Sequence, residues 1–202
     1  MNIFVLCTGR CGSKTFVQAC NHITNYSAGH ETRVRLVGAE KFAYPPDHIE
    51  ADNRLAWHLG RLEAAYGDDA FYVHLRRDRA QVVASYAQRW APIGGIMPAY
   101  RNGVLRAAAH TRLATAADFV DTVEANIVSF LRDKSMTMTV ALEEAADWFP
   151  DFWARIGATG DFDAALAEWS HRHNSRPART GIRKIKQKLK GIQQILIEPP
   201  LG

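Results

Sequence analysis

Residues 2–16 read NIFVLCTGRCGSKTF, and the change of pattern inside them decides the fold. Ile3, Phe4, Val5 and Leu6 form a short apolar run of strand formers, the composition of a parallel strand buried on both faces. From Phe16 the spacing changes: Phe16, Ala19, Cys20 and Ile23 recur at helical intervals, so a helix starts near Ser13 or Lys14. Gly9 and Gly12 therefore fall in a strand-to-helix turn. Such a turn aims backbone N–H groups and the positive end of a helix dipole at one point, where an anion is stabilised. Arg10 and Lys14 add cationic donors, Ser13 and Thr15 add hydroxyls, and Cys11 is a small residue between them. A phosphate or sulfate group is the expected guest. The nucleoside-triphosphate loop G-x-x-x-x-G-K-[ST] is not matched, because Ser13 separates Gly12 from Lys14 and Gly9 lies too close to Gly12.

Outward from this turn the chain alternates. The patterns predict a strand (3–8), helix (13–23), strand (33–38), helix (52–66), strand (71–75) and helix (79–90). Helices near 99–115 and 117–132, a strand (136–142), a helix (144–157) and a short helix (161–170) follow. The loop from Ala91 to Tyr100, with Pro92, Gly94, Gly95 and Pro98, is a connector or an acceptor lid. Apolar strands alternating with helices imply an α/β fold of three layers, α/β/α, around a central, mainly parallel sheet. Ligands in such folds bind beyond the carboxyl ends of the strands, where the opening turn lies.

The 202 residues suit one domain with a substantial core, and 47% apolar with 23% charged residues is globular composition. No run of 18 apolar residues and no signal-like leader occur, and Cys7, Cys11 and Cys20 lack metal-ligand spacing, so a cytoplasmic protein with reduced thiols is expected. The net charge of +4 is uneven: eight basic residues and one acid, Glu198, follow residue 171, leaving 17 basic against 20 acidic residues before them. The expected organisation is an α/β domain over 1–171 and a basic tail over 172–202. Within the tail, Ile182, Ile185, Leu189, Ile192 and Leu196 keep helical spacing with Lys and Arg opposite, an amphipathic basic helix over 180–197. Its possible partners are its own domain, an anionic membrane contacted peripherally, an acidic glycan, or a second subunit in a homo-oligomer. Nucleic acid is disfavoured by the acidic body and by the lack of aromatics interleaved in the tail.

A second anion element is FYVHLRRDRAQVVASYAQRW, residues 71–90. Phe71 to Leu75 reads as a strand, and Val82, Val83, Tyr86 and Trp90 as a helical stripe. Arg77 then sits at the strand's carboxyl end with Ser85 two turns along the helix. A bidentate Arg and a hydroxyl suit a phosphate; surface arginines paired with Asp78 are the plainer alternative.

The two elements together resemble the PAPS-dependent sulfotransferases. TGRCGSKTF (8–16) is similar to the family's 5′-phosphosulfate loop, commonly R-S-G-[ST]-[ST]: Arg10, Gly12 and Ser13 match, and Lys14 and Thr15 continue the run. LRRDRAQVVAS (75–85) is similar to its 3′-phosphate element, commonly R-D-P-R-x-x-x-x-S: Arg77, Asp78 and Ser85 match, with Arg79 in place of the Pro. TMTVALEEAADWF (137–149) resembles the family's late strand and helix, whereas RTGIRK (179–184) is only a faint echo of the glycine-rich C-terminal motif of the cytosolic eukaryotic branch. The bacterial and carbohydrate-directed branches are the better likeness. The resemblance implies a P-loop-like fold and 3′-phosphoadenosine-5′-phosphosulfate (PAPS) as sulfuryl donor, without a metal. It implies that Arg10, Cys11, Gly12, Ser13, Lys14 and Thr15 hold the donor's 5′ side, and Arg77 and Ser85 its 3′-phosphate. The acceptor would be a small molecule or glycan, through a hydroxyl of a carbohydrate or glycolipid.

Sulfuryl transfer needs cations for the charge on the leaving phosphate and a base for the acceptor's proton. Arg10 and Lys14 are the electrostatic candidates. Glu31 falls shortly after the first helix, where carbohydrate sulfotransferases carry a catalytic Glu, and is the expected base; the adjacent His30 is the alternative. His58 and His74 are weaker, and His74 reads as a packed core residue. Two rival readings meet contrary residues. A P-loop kinase using ATP and magnesium, with Glu143 as metal carboxylate, has no triphosphate loop and no use for the Arg77/Ser85 pair. A non-catalytic anion- or membrane-binding module, gripping nucleic acid or membrane with its basic tail, meets the acidic body and the lack of interleaved aromatics where nucleic acid is concerned.

Overall fold

The structure is a computed structural model, and it describes residues 1–90, 95–106 and 109–170. The basic tail with its predicted 180–197 helix, and residues 91–94 of the Pro- and Gly-containing loop, lie outside the described residues.

Five strands form one all-parallel sheet: β1 (Asn2–Leu6), β2 (Ser27–His30), β3 (His48–Ala51), β4 (Ala70–Arg76) and β5 (Thr137–Ala141), in the order β2-β3-β1-β4-β5. The apolar opening run is the central strand, with Val5 in register with Ala51 on one side and Val73 on the other. Its alternation builds both halves of the core. Ile3 and Val5 face a layer made of α1 (Ser13–Cys20), α6 (Ala145–Arg155) and α7 (Phe162–Ala167), where Phe16, Trp148, Phe149 and Phe152 are buried. Phe4 and Leu6 face α2 (Leu59–Tyr66), α3 (Arg79–Gln88) and α5 (Arg112–Leu131), with Tyr72, Tyr86 and Phe119. The remaining short helix, α4, covers Ile96–Ala99. Each such fully buried aliphatic or Phe side chain contributes about 1.5–3 kcal/mol of transfer free energy, so the two clusters fix the layering. The three-layer α/β/α fold with a parallel sheet is as expected from the sequence, and its core includes Trp148, stacked 5.9 Å from Phe16.

Three expectations need correction. Residues 33–38 form no strand: Leu36 and Val37 are exposed, and the two extra strands are β2 and β3, either side of that loop. The helix expected over 52–66 begins as a 3-10 turn, Asn53–Trp57, because Asp52 caps it by accepting from the Arg54 amide (2.8 Å); α2 starts only at Leu59. The helix expected near 99–115 is not continuous. A π-helical turn, Tyr100–Val104, follows α4, Arg106 takes a left-handed φ of 52°, and α5 starts afresh at Arg112 with Thr111 as its cap. Among the described residues no helix is long and apolar enough to cross a membrane.

Candidate active site

The turn between β1 and α1 lies at the carboxyl edge of the sheet, where the sequence placed it. Gly9, Arg10 and Gly12 all have left-handed φ values of 77°, 65° and 89°. Two are glycines, for which this costs little; Arg10 is not, and its conformation has to be held by its neighbours. Asp78, Thr111 and Asp161 cap α3, α5 and α7 with side chains, whereas α1 begins on Gly12 with no side-chain cap. The first-turn amides of α1, from Ser13 to Thr15, are thus left for a ligand. No acid lies in that first turn. Lys14 is exposed, Ser13 half-buried, and Cys11 fully buried in the α1-side core, so Cys11 offers its main chain only.

The Arg77 element holds Arg10. Arg77 lies just past β4; its Nη1 donates to the Arg10 carbonyl oxygen (3.0 Å) and its Nη2 to Gln81 Oε1 (2.6 Å). Arg10 Nε in turn donates to Ser85 Oγ on α3 (3.2 Å). One residue further, buried Tyr86 donates to the Thr8 carbonyl oxygen (2.6 Å). A Cβ on Gly9 would collide with that same Tyr86 hydroxyl and lie 2.8 Å from Asn53 Nδ2, so the close approach of α3 requires glycine here. The two sequence elements, nearly seventy residues apart in the chain, therefore form one continuous surface. Beside Arg77, a cleft of about 510 Å³ opens between Thr8, Asp78, Val120, Thr139 and Glu143.

On the opposite side of the turn, the end of β2 supplies the acid–base candidates. His30 is half-buried, and its Nε2 lies 3.0 Å from Ser13 Oγ. Burial holds the imidazole below its ordinary pKa, with Lys14 acting in the same direction and Glu31 against it. Glu31 adopts a left-handed φ of 55° and turns its carboxylate to Arg54, 3.0 Å away. Of the two expected candidates, the structure brings His30 to the anion turn and ties Glu31 to Arg54. Asp52, at the end of β3, is buried, and burial raises its pKa.

Other expected residues lie outside the turn itself. Glu143 accepts from the Asp78 amide (3.2 Å) and lies 4.0 Å from Arg77 Nε. His74 is 2% exposed and 3.3 Å from Glu124, a packed residue as its strand position implied. Arg79, where the resembling family has Pro, makes a bidentate pair with Asp121 on α5, both at the wall of the cleft beside Arg77. Asp52, Asn53, Arg54 and Gln81 belong to the site region but to neither motif. The only sequence sign of the first three is a polar string following a short strand, easily taken for the start of a helix.

No protein-family profile matches the chain. No curated protein matches it either. Among solved structures, the sulfotransferase domain from the curacin biosynthetic pathway superimposes with a TM-score of 0.60, covering 99% of this chain and 92% of that one at 13% sequence identity. At that identity the likeness establishes the fold: this chain has the fold of a sulfotransferase domain.

Proposed function

We propose that the chain is a PAPS-dependent sulfotransferase acting on a hydroxyl of a carbohydrate or glycolipid acceptor. The observation that carries this reading is the junction between its two anion elements, Arg77 to the Arg10 carbonyl and Arg10 to Ser85. A ligand with two anionic groups on one nucleoside needs two such elements at a fixed short separation. A triphosphate kinase has no use for the second one. The sulfotransferase fold supports the same reading.

The donor supplies the sulfuryl group. The α1 first turn with Arg10, Ser13, Lys14 and Thr15 would hold its 5′ side, Arg77 and Ser85 its 3′-phosphate, and the cleft beside Arg77 provides room for a nucleoside. Arg10 and Lys14 offset the charge that grows on the leaving oxygen. His30, neutral and already in contact with Ser13 at the turn, takes the acceptor's proton on Nε2; Glu31 and its partner Arg54 flank the acceptor side. The test is thermal stabilisation. 3′-Phosphoadenosine-5′-phosphate without metal should raise the melting temperature, 5′-AMP much less. A larger shift with ATP and magnesium, or equal shifts with the bisphosphate and AMP, would overturn the assignment.

A further inference from the structure

Beneath His30 lies a buried polar cluster that the proposed chemistry does not use. Glu50, in the middle of β3, has no exposure at all. Its Oε1 accepts from the Thr32 amide (2.8 Å), and its Oε2 accepts from Thr32 Oγ1 (2.6 Å) and faces His48 Nε2 at 3.0 Å. His48, also buried, reaches Ser27 Oγ with Nδ1 (2.8 Å). A carboxylate that accepts from Thr32 assigns the His48 proton to Nε2, so the ring bridges Glu50 and Ser27. Burying a carboxylate is costly unless its oxygens are satisfied, and here both are.

These bonds have a shape. Ser27 is the first residue of β2 and Thr32 is the second residue beyond it, so β3 grips both ends of a six-residue segment. Gly29 lies in the grip: a Cβ there would overlap Thr32 Cγ2 and stand 3.0 Å from Glu50 Oε2 and 3.2 Å from His48 Cε1. Only His30 and Glu31 lie between Gly29 and Thr32. The Glu31 amide is tied to the Ala51 carbonyl (3.2 Å), and its left-handed φ completes a tight, fully specified exit.

We propose that Glu50, with His48, is the positioning residue for His30: it clasps the exit of β2 so that the imidazole is presented to the anion turn at a fixed place. This rests on the reading of His30 as proton acceptor. The clasp also carries charge. The groups that face His30 are Ser13 and Lys14 from α1, Glu31 just past its own strand and Glu50 from β3, with His48 behind Glu50; of these, Glu31 and Glu50 raise the imidazole's pKa and Lys14 lowers it. A merely structural Glu50 would hold the backbone without that electrical effect.

Two variants separate these possibilities. Glu50→Gln keeps the volume and removes the charge. In the folded protein, His30 followed by NMR should titrate at lower pH than in the wild type, and the Glu31 amide should exchange faster. Thr32→Val keeps the charge and removes one bond of the clasp. It should speed exchange at the Glu31 amide about fivefold or more, as expected for one lost hydrogen bond, with the His30 midpoint kept. Where Glu50→Gln does not fold, Thr32→Val alone decides. An unmoved His30 titration in folded Glu50→Gln, or unchanged Glu31 exchange in Thr32→Val, overturns the proposal. These readouts need no turnover: should the bisphosphate fail to bind the wild type, the sulfotransferase reading falls while the clasp is still judged by the NMR data.

Discussion

Replacing Arg77 by Ala removes two things at once, and nucleotide binding can tell them apart. Its guanidinium would bond the donor's 3′-phosphate, and it donates to the Arg10 carbonyl, bracing a residue held at a left-handed φ of 65°. A charge-assisted hydrogen bond is worth about 1.5–3 kcal/mol. The Arg77 side chain is 31% exposed, so solvent screening places the phosphate contact at the low end, about 1.5–2 kcal/mol. The brace is a single bond to a neutral acceptor, about 1 kcal/mol. Affinity for 3′-phosphoadenosine-5′-phosphate should thus fall by about 2.5–3 kcal/mol, roughly 10²-fold, and that for 5′-AMP by only about fivefold. Arg77→Lys should recover part of the bisphosphate loss, because a point charge still attracts phosphate but cannot bridge to Arg10. Isothermal titration of both nucleotides at one ionic strength measures these numbers. Saturating turnover should fall far less than affinity, since the contact is remote from the transferred group. Equal losses for the two nucleotides would show that Arg77 acts only as a brace and would refute its assignment to the 3′-phosphate.

Gly9→Ala should cost about 2–5 kcal/mol, combining a left-handed alanine at about 1–2 kcal/mol with the collision against Tyr86 at about 1–3 kcal/mol; a melting temperature within 2 °C of wild type would contradict the packing of α3 on the turn. Because burial and Lys14 hold His30 below its ordinary value, the neutral form persists as pH falls, so the midpoint of the acid limb of turnover should lie below about pH 6.5, the ordinary imidazole value; a midpoint above that value would point to another base. Cys7, Cys11 and Cys20 are all buried, burial pushes the Cys20 thiol up, and hydrogen bonding to Cys11 raises that of Cys7. The native protein should therefore be inert to a disulfide reagent at pH 8 and release three equivalents on denaturation; one fast-reacting thiol would indicate an accessible Cys11.

The parts of the fold that show in the sequence are those with a strong single period. β1 and β4 are largely apolar runs, β5 alternates Thr with Met and Val, and α1 and α3 carry clear stripes, so the anion turn and the Arg77 element were placed from residue order alone. β2 and β3 did not show, for a physical reason. SAGH and HIEA are four residues each, and three of those eight positions are titratable. His48 and Glu50 can be buried because they hydrogen-bond to each other, Glu50 also to Thr32 and His48 to Ser27, a compensation that appears only once the strands pair. Val34 and Leu36 instead mimic strand alternation in RVRLVG, yet this stretch is an exposed loop. At the site, the motifs located the residues facing the anion. They did not reveal Arg54, which draws Glu31 aside, because that partner lies on a separate loop beyond β3.

The strand order divides responsibilities within the proposed enzyme. Everything assigned to the donor hangs from the central strand β1, the start of α1 that follows it, β4 and α3. The group assigned to the proton hangs from β2, an edge strand, and is held by β3 and by its contact with Ser13 of α1. Variation along that outer edge can remodel what is sulfated while the nucleotide's seat is conserved in shape. A library confined to residues 31–37 and 52–54 is accordingly the economical place to search for altered acceptor preference, with bisphosphate affinity as the constant against which each variant is judged.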